Sequence, residues 1–273
     1  VMDSGGPDYD HIWITEALRG LISGTLSIKV SHEGIHSGTS GGSIPCSFRI
    51  ARALLDRVED SKSGQILIPE MHVDISDDLR SKAESLANVV GESLWQQLPT
   101  VDTLLPVSDN IADMILGMNW QPSLCVIGAD GLPSVQTAGN VLRTNTDLKL
   151  SFRIPPGIDV DPLEPILKQI LEENPPYGAE VSFSPDSSAN GFHSPPLDGE
   201  VKRAITEASE LLTGRPPLAT WIGGTIPFMA MMQSRYPNAK FLCTGASGPG
   251  NNAHGPDEKL SLIHISEPTR QSK

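Results

Sequence analysis

Between Leu26 and Val58 the period of the apolar residues changes. Leu26, Ile28 and Val30 alternate with polar neighbours, the spacing of a half-buried strand. After a glycine-rich loop, Ile44, Phe48, Ala51, Leu55 and Val58 recur at helical spacing on one face. A strand that feeds a helix through a short loop buries both apolar faces by packing one on the other, so the chain is restricted to layered folds that mix the two element types. The same alternation returns at Leu148, Leu150, Phe152 and Ile154, where Pro155 and Pro156 end a strand. Helices are predicted over residues 77–98 and 161–173 and a short strand over 179–183. SPDSSANGFHSPPLDG is a turn-rich connector and a boundary, beyond which residues 199–212 and 225–235 read as helices and 239–244 as a buried strand. The expected class is α/β or α+β, with no internal repeat.

Composition narrows the partners. The 273 residues carry a formal charge of -13 with no basic block, so binding to a phosphate backbone or an anionic membrane has no electrostatic basis. No apolar run approaches the ~20 residues that span a bilayer. Cys46, Cys125 and Cys243 are odd in number, far apart and never in a Cys-x-x-Cys pair, which argues against a disulfide framework or a thiolate zinc site and fits a reducing compartment.

Four short constellations could carry chemistry: VMDSG at Asp3, GIHSG at His36, SFRIPP at Arg153 and NAHGPDE at His254. Each sets one reactive side chain among glycines or prolines, where backbone and ligand can approach closely. Singly they are weak signals, since a histidine beside glycine is more often an exposed loop residue. His11, His32, His72 and His193 receive no role.

The ordered texts VMDSGGPDYDHIWITEALRG, EGIHSGTSGG, GLPSVQTAGNVL, LKLSFRIPP, GGTIPF and NAHGPDE together resemble the co-catalytic metallopeptidases of the aminoacylase and carnosine-dipeptidase type, over residues 1–259. The resemblance implies an α/β catalytic domain with a mixed sheet, interrupted by an α+β lid that carries the contact of a homodimer. The corresponding boundaries are 1–22 for the first catalytic segment, 23–185 for the lid and 186–259 for the second catalytic segment. It implies two divalent ions, zinc or manganese, with Asp3 a ligand of one and His254 of the other. His36 would hold the scissile carbonyl oxygen in the partner subunit's site, Arg153 would grip the substrate carboxylate, and Asn140 and Thr225 would contact substrate. The helix from Ile44 and its neighbouring strand would form the dimer contact. The chemistry is coherent: zinc with an open position lowers the pKa of bound water, a histidine donor stabilises a developing oxyanion, and arginine pairs bidentately with a carboxylate.

The resemblance also departs. Ile222 stands where relatives commonly carry a glutamate thought to meet the substrate's amino group, which favours a neutral amino end such as an N-acyl group. The remaining ligands and the general-base glutamate would precede Asp3, where only Val1 and Met2 stand, so the chain is expected to be an N-terminally truncated and inactive part of a dipeptidase or amidohydrolase acting on dipeptides or acyl-amino acids in the cytoplasm. LSLIHISEPTR, from Leu260, resembles a translated sequencing adapter, and residues 260–273 are expected to be foreign to the protein. The alternative function is a non-catalytic dimerisation or small-ligand module on the same fold.

Overall fold

The structure is a computed structural model and describes residues 1–2, 4–96, 98–252 and 255–260. In chain order its elements begin with strands β1 (Trp13–Leu18), β2 (Gly20–Lys29) and β3 (Ile35–His36) and helices α1 (Ser37–Ser40), α2 (Ser47–Leu55), α3 (Asp77–Val90), α4 (Ser93–Gln96) and α5 (Ile111–Trp120). Strands β4 (Ser123–Asp130), β5 (Val141–Leu142) and β6 (Asn145–Ile154) follow, then α6 (Leu163–Glu172), β7 (Glu180–Ala189), β8 (Phe192–His193), α7 (Gly199–Thr213), β9 (Leu218–Ile222) and α8 (Pro227–Arg235). The class is mixed α/β, as expected. Two compact units form, one from residues 1–19, 74–120 and 192 onward, the other from 20–73 and 121–191.

The second unit is built on β2. All ten of its residues pair antiparallel with β6, and β7 pairs with its other edge, giving the order β4-β6-β2-β7. With α2 after β2 and α6 after β6 this is a split β-α-β-β-α-β arrangement. One sheet face is apolar: Ile22, Leu26 and Ile28 of β2, Leu148, Leu150, Phe152 and Ile154 of β6 and Phe183 of β7 form one core with α2 and α6. The other face is polar. There Asp186 accepts hydrogen bonds from Ser23 Oγ at 3.1 Å and from Lys149 Nζ.

Three expectations are corrected in detail. Helix α2 starts at Ser47 and buries Ser47, Ile50, Ala51 and Leu54, whereas Phe48 of the expected stripe is exposed. Ser47 is tolerated inside because its hydroxyl meets Thr146 Oγ1 at 2.8 Å. The strand expected over 179–183 runs on to Ala189, because β2 is long enough to pair with it through Leu21. The turn-rich text after Phe183 is therefore half strand. Helix formation over 77–98 stops at Val90, where Gly91 takes φ 54°, and resumes for one turn in α4.

In the first unit β1 lies between β8, antiparallel, and β9, parallel. Leu18, Phe192, Met229, Phe241 and Cys243 form its apolar cluster, against which Ile222 and Ile226 pack. Residues 74–120, expected within the 23–185 unit, belong here by compactness, with α3 on α5 and α5 on β9. Segment 239–244 has a strand's alternation, Phe241 and Cys243 buried around exposed Leu242, but it is not a regular strand. Its bonds are single ones, from Thr15 N–H to Cys243 O at 2.8 Å and from Thr244 N–H to Val1 O at 3.0 Å.

Phe152 is fully buried in the β-sheet core. Phe152→Ala is expected to cost about 3–5 kcal/mol in urea unfolding, through lost transfer energy and the cavity left behind. A loss below ~1 kcal/mol would show that the second unit does not pack around this strand.

Candidate active site

Strands β3 and β5 form a two-stranded antiparallel ribbon that pairs Ile35 with Leu142 and His36 with Val141. Ser37 N–H donates to Asn140 O at 2.9 Å just beyond the ribbon. GIHSG and AGNVL, about a hundred residues apart in sequence, thus meet side by side, with His36 and Asn140 both exposed.

His36 also caps helix α1. Its Nδ1 accepts from Gly38 N–H at 3.1 Å, which in the neutral ring places the proton on Nε2. The imidazole therefore presents an N–H donor on its outer side. A Cβ on Gly38 would stand 3.0 Å from His36 Cε1, so a larger residue there would push the exposed ring by a few tenths of an ångström.

Arg153 lies near the end of β6 on the polar sheet face, half-buried, with Leu21 of β2 and Ser123 of β4 as its cross-strand partners. Thr225 belongs to the other compact unit, in the turn between β9 and α8. That turn is gripped by Arg19, whose Nε donates to Gly223 O at 3.0 Å and whose backbone N–H donates to Ile222 O at 3.4 Å. Nothing in the sequence marks Arg19 as part of this loop, because its partner stands 204 residues away. Ile222 is half-buried against the Leu18, Phe192 and Met229 cluster.

Asp3 and His254, the two expected metal ligands, lie outside the described residues, as do residues 261–273. Their flanks are described: Met2 bridges Thr244, Gly5 bridges Ser247, and Gly6 N–H donates to Ser247 O at 2.9 Å. Met2 and Gly5 are thus each bridged in parallel to the segment 244–247. Among the described residues no three His, Cys, Asp or Glu side chains gather as a metal would need. The described side chains alone do not make a metal site. Cys243 is buried, and burial pushes its thiol above the ordinary range, which removes it as a nucleophile near neutral pH.

Asp8 organises the turn into β1. Its Oδ1 accepts from Asp10 N–H at 2.9 Å, His11 N–H at 3.0 Å and Trp13 Nε1 at 3.1 Å, while His11 Nδ1 stands 2.9 Å from Oδ2. Burial alone would raise this carboxyl, but the bonds from His11 and Trp13 outweigh it and hold the pKa below the ordinary value. Sequence reading gave His11 no role, and a ligand role is not what the structure offers it.

No family model matches the chain. It is 24% identical over 253 residues to a cysteinylglycine-S-conjugate dipeptidase of Corynebacterium striatum, covering 92% of this chain and 53% of that protein. It is 24% identical over 268 residues to the Cys-Gly metallodipeptidase of Saccharomyces cerevisiae, covering 94% and 54%. The solved structure of that yeast dipeptidase matches with a TM-score of 0.75 at 22% identity, over 97% of this chain and 55% of that one. Human carnosine dipeptidase 1 matches with a TM-score of 0.75 at 19% identity, over 96% and 56%. The chain is thus similar, at 19–24% identity, to dipeptidase-like metallopeptidases. It spans about half the length of the curated relatives it matches. The match to the yeast dipeptidase structure covers both compact units, so the fold similarity is not confined to one of them.

The Asp8 carboxylate gives a pH prediction. A group whose folded pKa is depressed contributes stability in full above its ordinary value, here 3.8, and loses it as pH falls through the lower folded value. Asp8→Ala is expected to cost about 1–3 kcal/mol near neutral pH. Its difference from the unsubstituted chain in thermal unfolding should shrink as pH falls below about 4. A difference independent of pH would refute the charged, hydrogen-bonded role.

Proposed function

We propose that this chain is part of a metal-dependent hydrolase of the dipeptidase type that cleaves the amide bond of dipeptides or acyl-amino acids. The observation that carries the reading is the β3–β5 ribbon, which sets exposed His36, with its donor on Nε2, beside Asn140. A neutral imidazole N–H in that setting suits a developing oxyanion on a scissile carbonyl. Two of the similar proteins are dipeptidases of cysteinylglycine or its conjugates, and a dipeptide ends in a carboxylate with which Arg153 would pair in bidentate fashion.

The metal would be supplied by divalent ions, zinc or manganese, held with the help of Asp3 and His254, and its chemistry when bound is to lower the pKa of a water. Thr225 would contact substrate from the Gly223–Gly224 turn. Ile222, packed on apolar neighbours, offers no charge to an ammonium, so a neutral amino end is favoured over a free one. The second unit is read as the lid, and a homodimer through it would bring His36 to the partner subunit's site. The acidic charge argues for cargo other than nucleic acid, and among the described residues no helix is long and apolar enough to cross a membrane. A cytoplasmic setting follows from the resemblance and the unpaired cysteines.

The test is to read the source gene upstream of Val1, express the whole reading frame, and measure bound metal and turnover of a panel of dipeptides and N-acetyl amino acids. Bound divalent metal and hydrolysis are expected. His36→Ala should lower kcat by about 10²–10³, and Arg153→Met should act mainly on KM, by about 10–100-fold for a lost charged hydrogen-bond pair. A folded product with neither metal nor turnover would overturn the reading in favour of a non-catalytic binding module.

A further inference from the structure

We infer that Arg19 is a positioning residue that fixes the Gly223–Thr225 turn and through it presents Thr225 to the substrate; this rests on the reading of Thr225 given above. Arg19 is the residue after β1, and β1 pairs parallel with β9, so Leu18 stands opposite Ile222. The register brings the Arg19 backbone N–H to Ile222 O at 3.4 Å and its guanidinium Nε to Gly223 O at 3.0 Å. The chain therefore leaves β9 with two successive carbonyls held by one residue.

The turn is closed on its other side as well. A Cβ on Gly223 would stand 2.6 Å from Met118 O and 2.9 Å from Arg19 Nη2. Gly223 is thus pinched between the end of α5 and the guanidinium, and any side chain there would displace one of them. The next anchors are apolar, Ile222 and Ile226 packing on the Leu18 and Met229 cluster. Gly223 and Gly224 have no side chains with which to anchor the turn, and glycine is the residue that loses most conformational freedom when its backbone is fixed. A planar guanidinium that donates to a carbonyl fixes orientation as well as distance, which a loop delivering a hydroxyl to substrate requires.

The experiment uses the complete gene product and the panel substrate that it turns over fastest. Arg19→Ala is expected to lower kcat/KM by about 10–100-fold, the scale of a misplaced substrate contact. Arg19→Lys, which keeps a cationic donor but not the planar guanidinium, should recover only part of that loss. The Arg19→Ala, Thr225→Val double variant should be no slower than Thr225→Val alone, because both changes remove one contact. Hydrogen exchange of the 223–226 amides, read in parallel, should be faster in Arg19→Ala. Gly223→Ala, which presses on the same turn from the glycine side, should act in the same direction and serves if Arg19→Ala fails to fold. Unchanged exchange, or losses that simply add in the double variant, would overturn the proposal. Faster exchange with a Thr225→Val enzyme of normal rate would instead overturn the substrate role of Thr225 and leave Arg19 a restraint on the turn alone.

Discussion

The second unit depends on one strand being paired on both edges. β2 satisfies its backbone along ten residues with β6 on one side and nearly as many with β7 on the other, so its polar groups need no water. That lets Ile22, Leu26 and Ile28 sit wholly inside. A one-residue slip would turn those side chains to the polar face and set Ser23 and Thr25 in the core, so the register is strongly specified. The position of Arg153 follows from it, since the same register fixes which β6 side chains face away from α2 and α6.

The polar groups of interest are placed by backbone pairing rather than by ion pairs. His36 and Asn140 meet because four residues of ribbon pair, and the turn that carries Thr225 is held at the end of β1 because β9 runs parallel to it and Arg19 bonds Ile222 O and Gly223 O. The acceptor role of His36 Nδ1 toward Gly38 is a local bond between near neighbours, yet it decides which nitrogen faces outward. Asp8 likewise acts through local bonds, one carboxylate closing the turn before β1 with several donors.

Much of the second unit was legible. The strand around Leu26 to Ile28 and the alternation of Leu148 to Ile154 were recovered, as was helix α6 with Leu163, Leu167 and Leu171 inside. The phase of α2 was not, because Phe48 and Ile50 are both apolar and periodicity alone cannot choose between two overlapping stripes; packing chose Ile50, with Ser47 paid for by Thr146. Strand β4 and helix α5 went unread, β4 because its Val126 and Ile127 are exposed on an edge and break the alternation. The extension of β7 through Asp186 and Ser188 was hidden by turn-forming residues that a neighbouring strand overrode.

By itself the sequence determined most of the element types, the net acidic charge and the ordered motifs that resemble those of dipeptidase-like metallopeptidases, because periodicity, composition and local spacing are properties of neighbouring residues. Only the tertiary structure decided that His36 lies beside Asn140, that Arg19 reaches Gly223, that residues 74–120 pack with the first unit and that Ile222 joins an apolar cluster. Each of these joins segments far apart in the chain. Such pairings are selected by burial and hydrogen-bond satisfaction summed over a whole unit, a quantity that no local stretch contains.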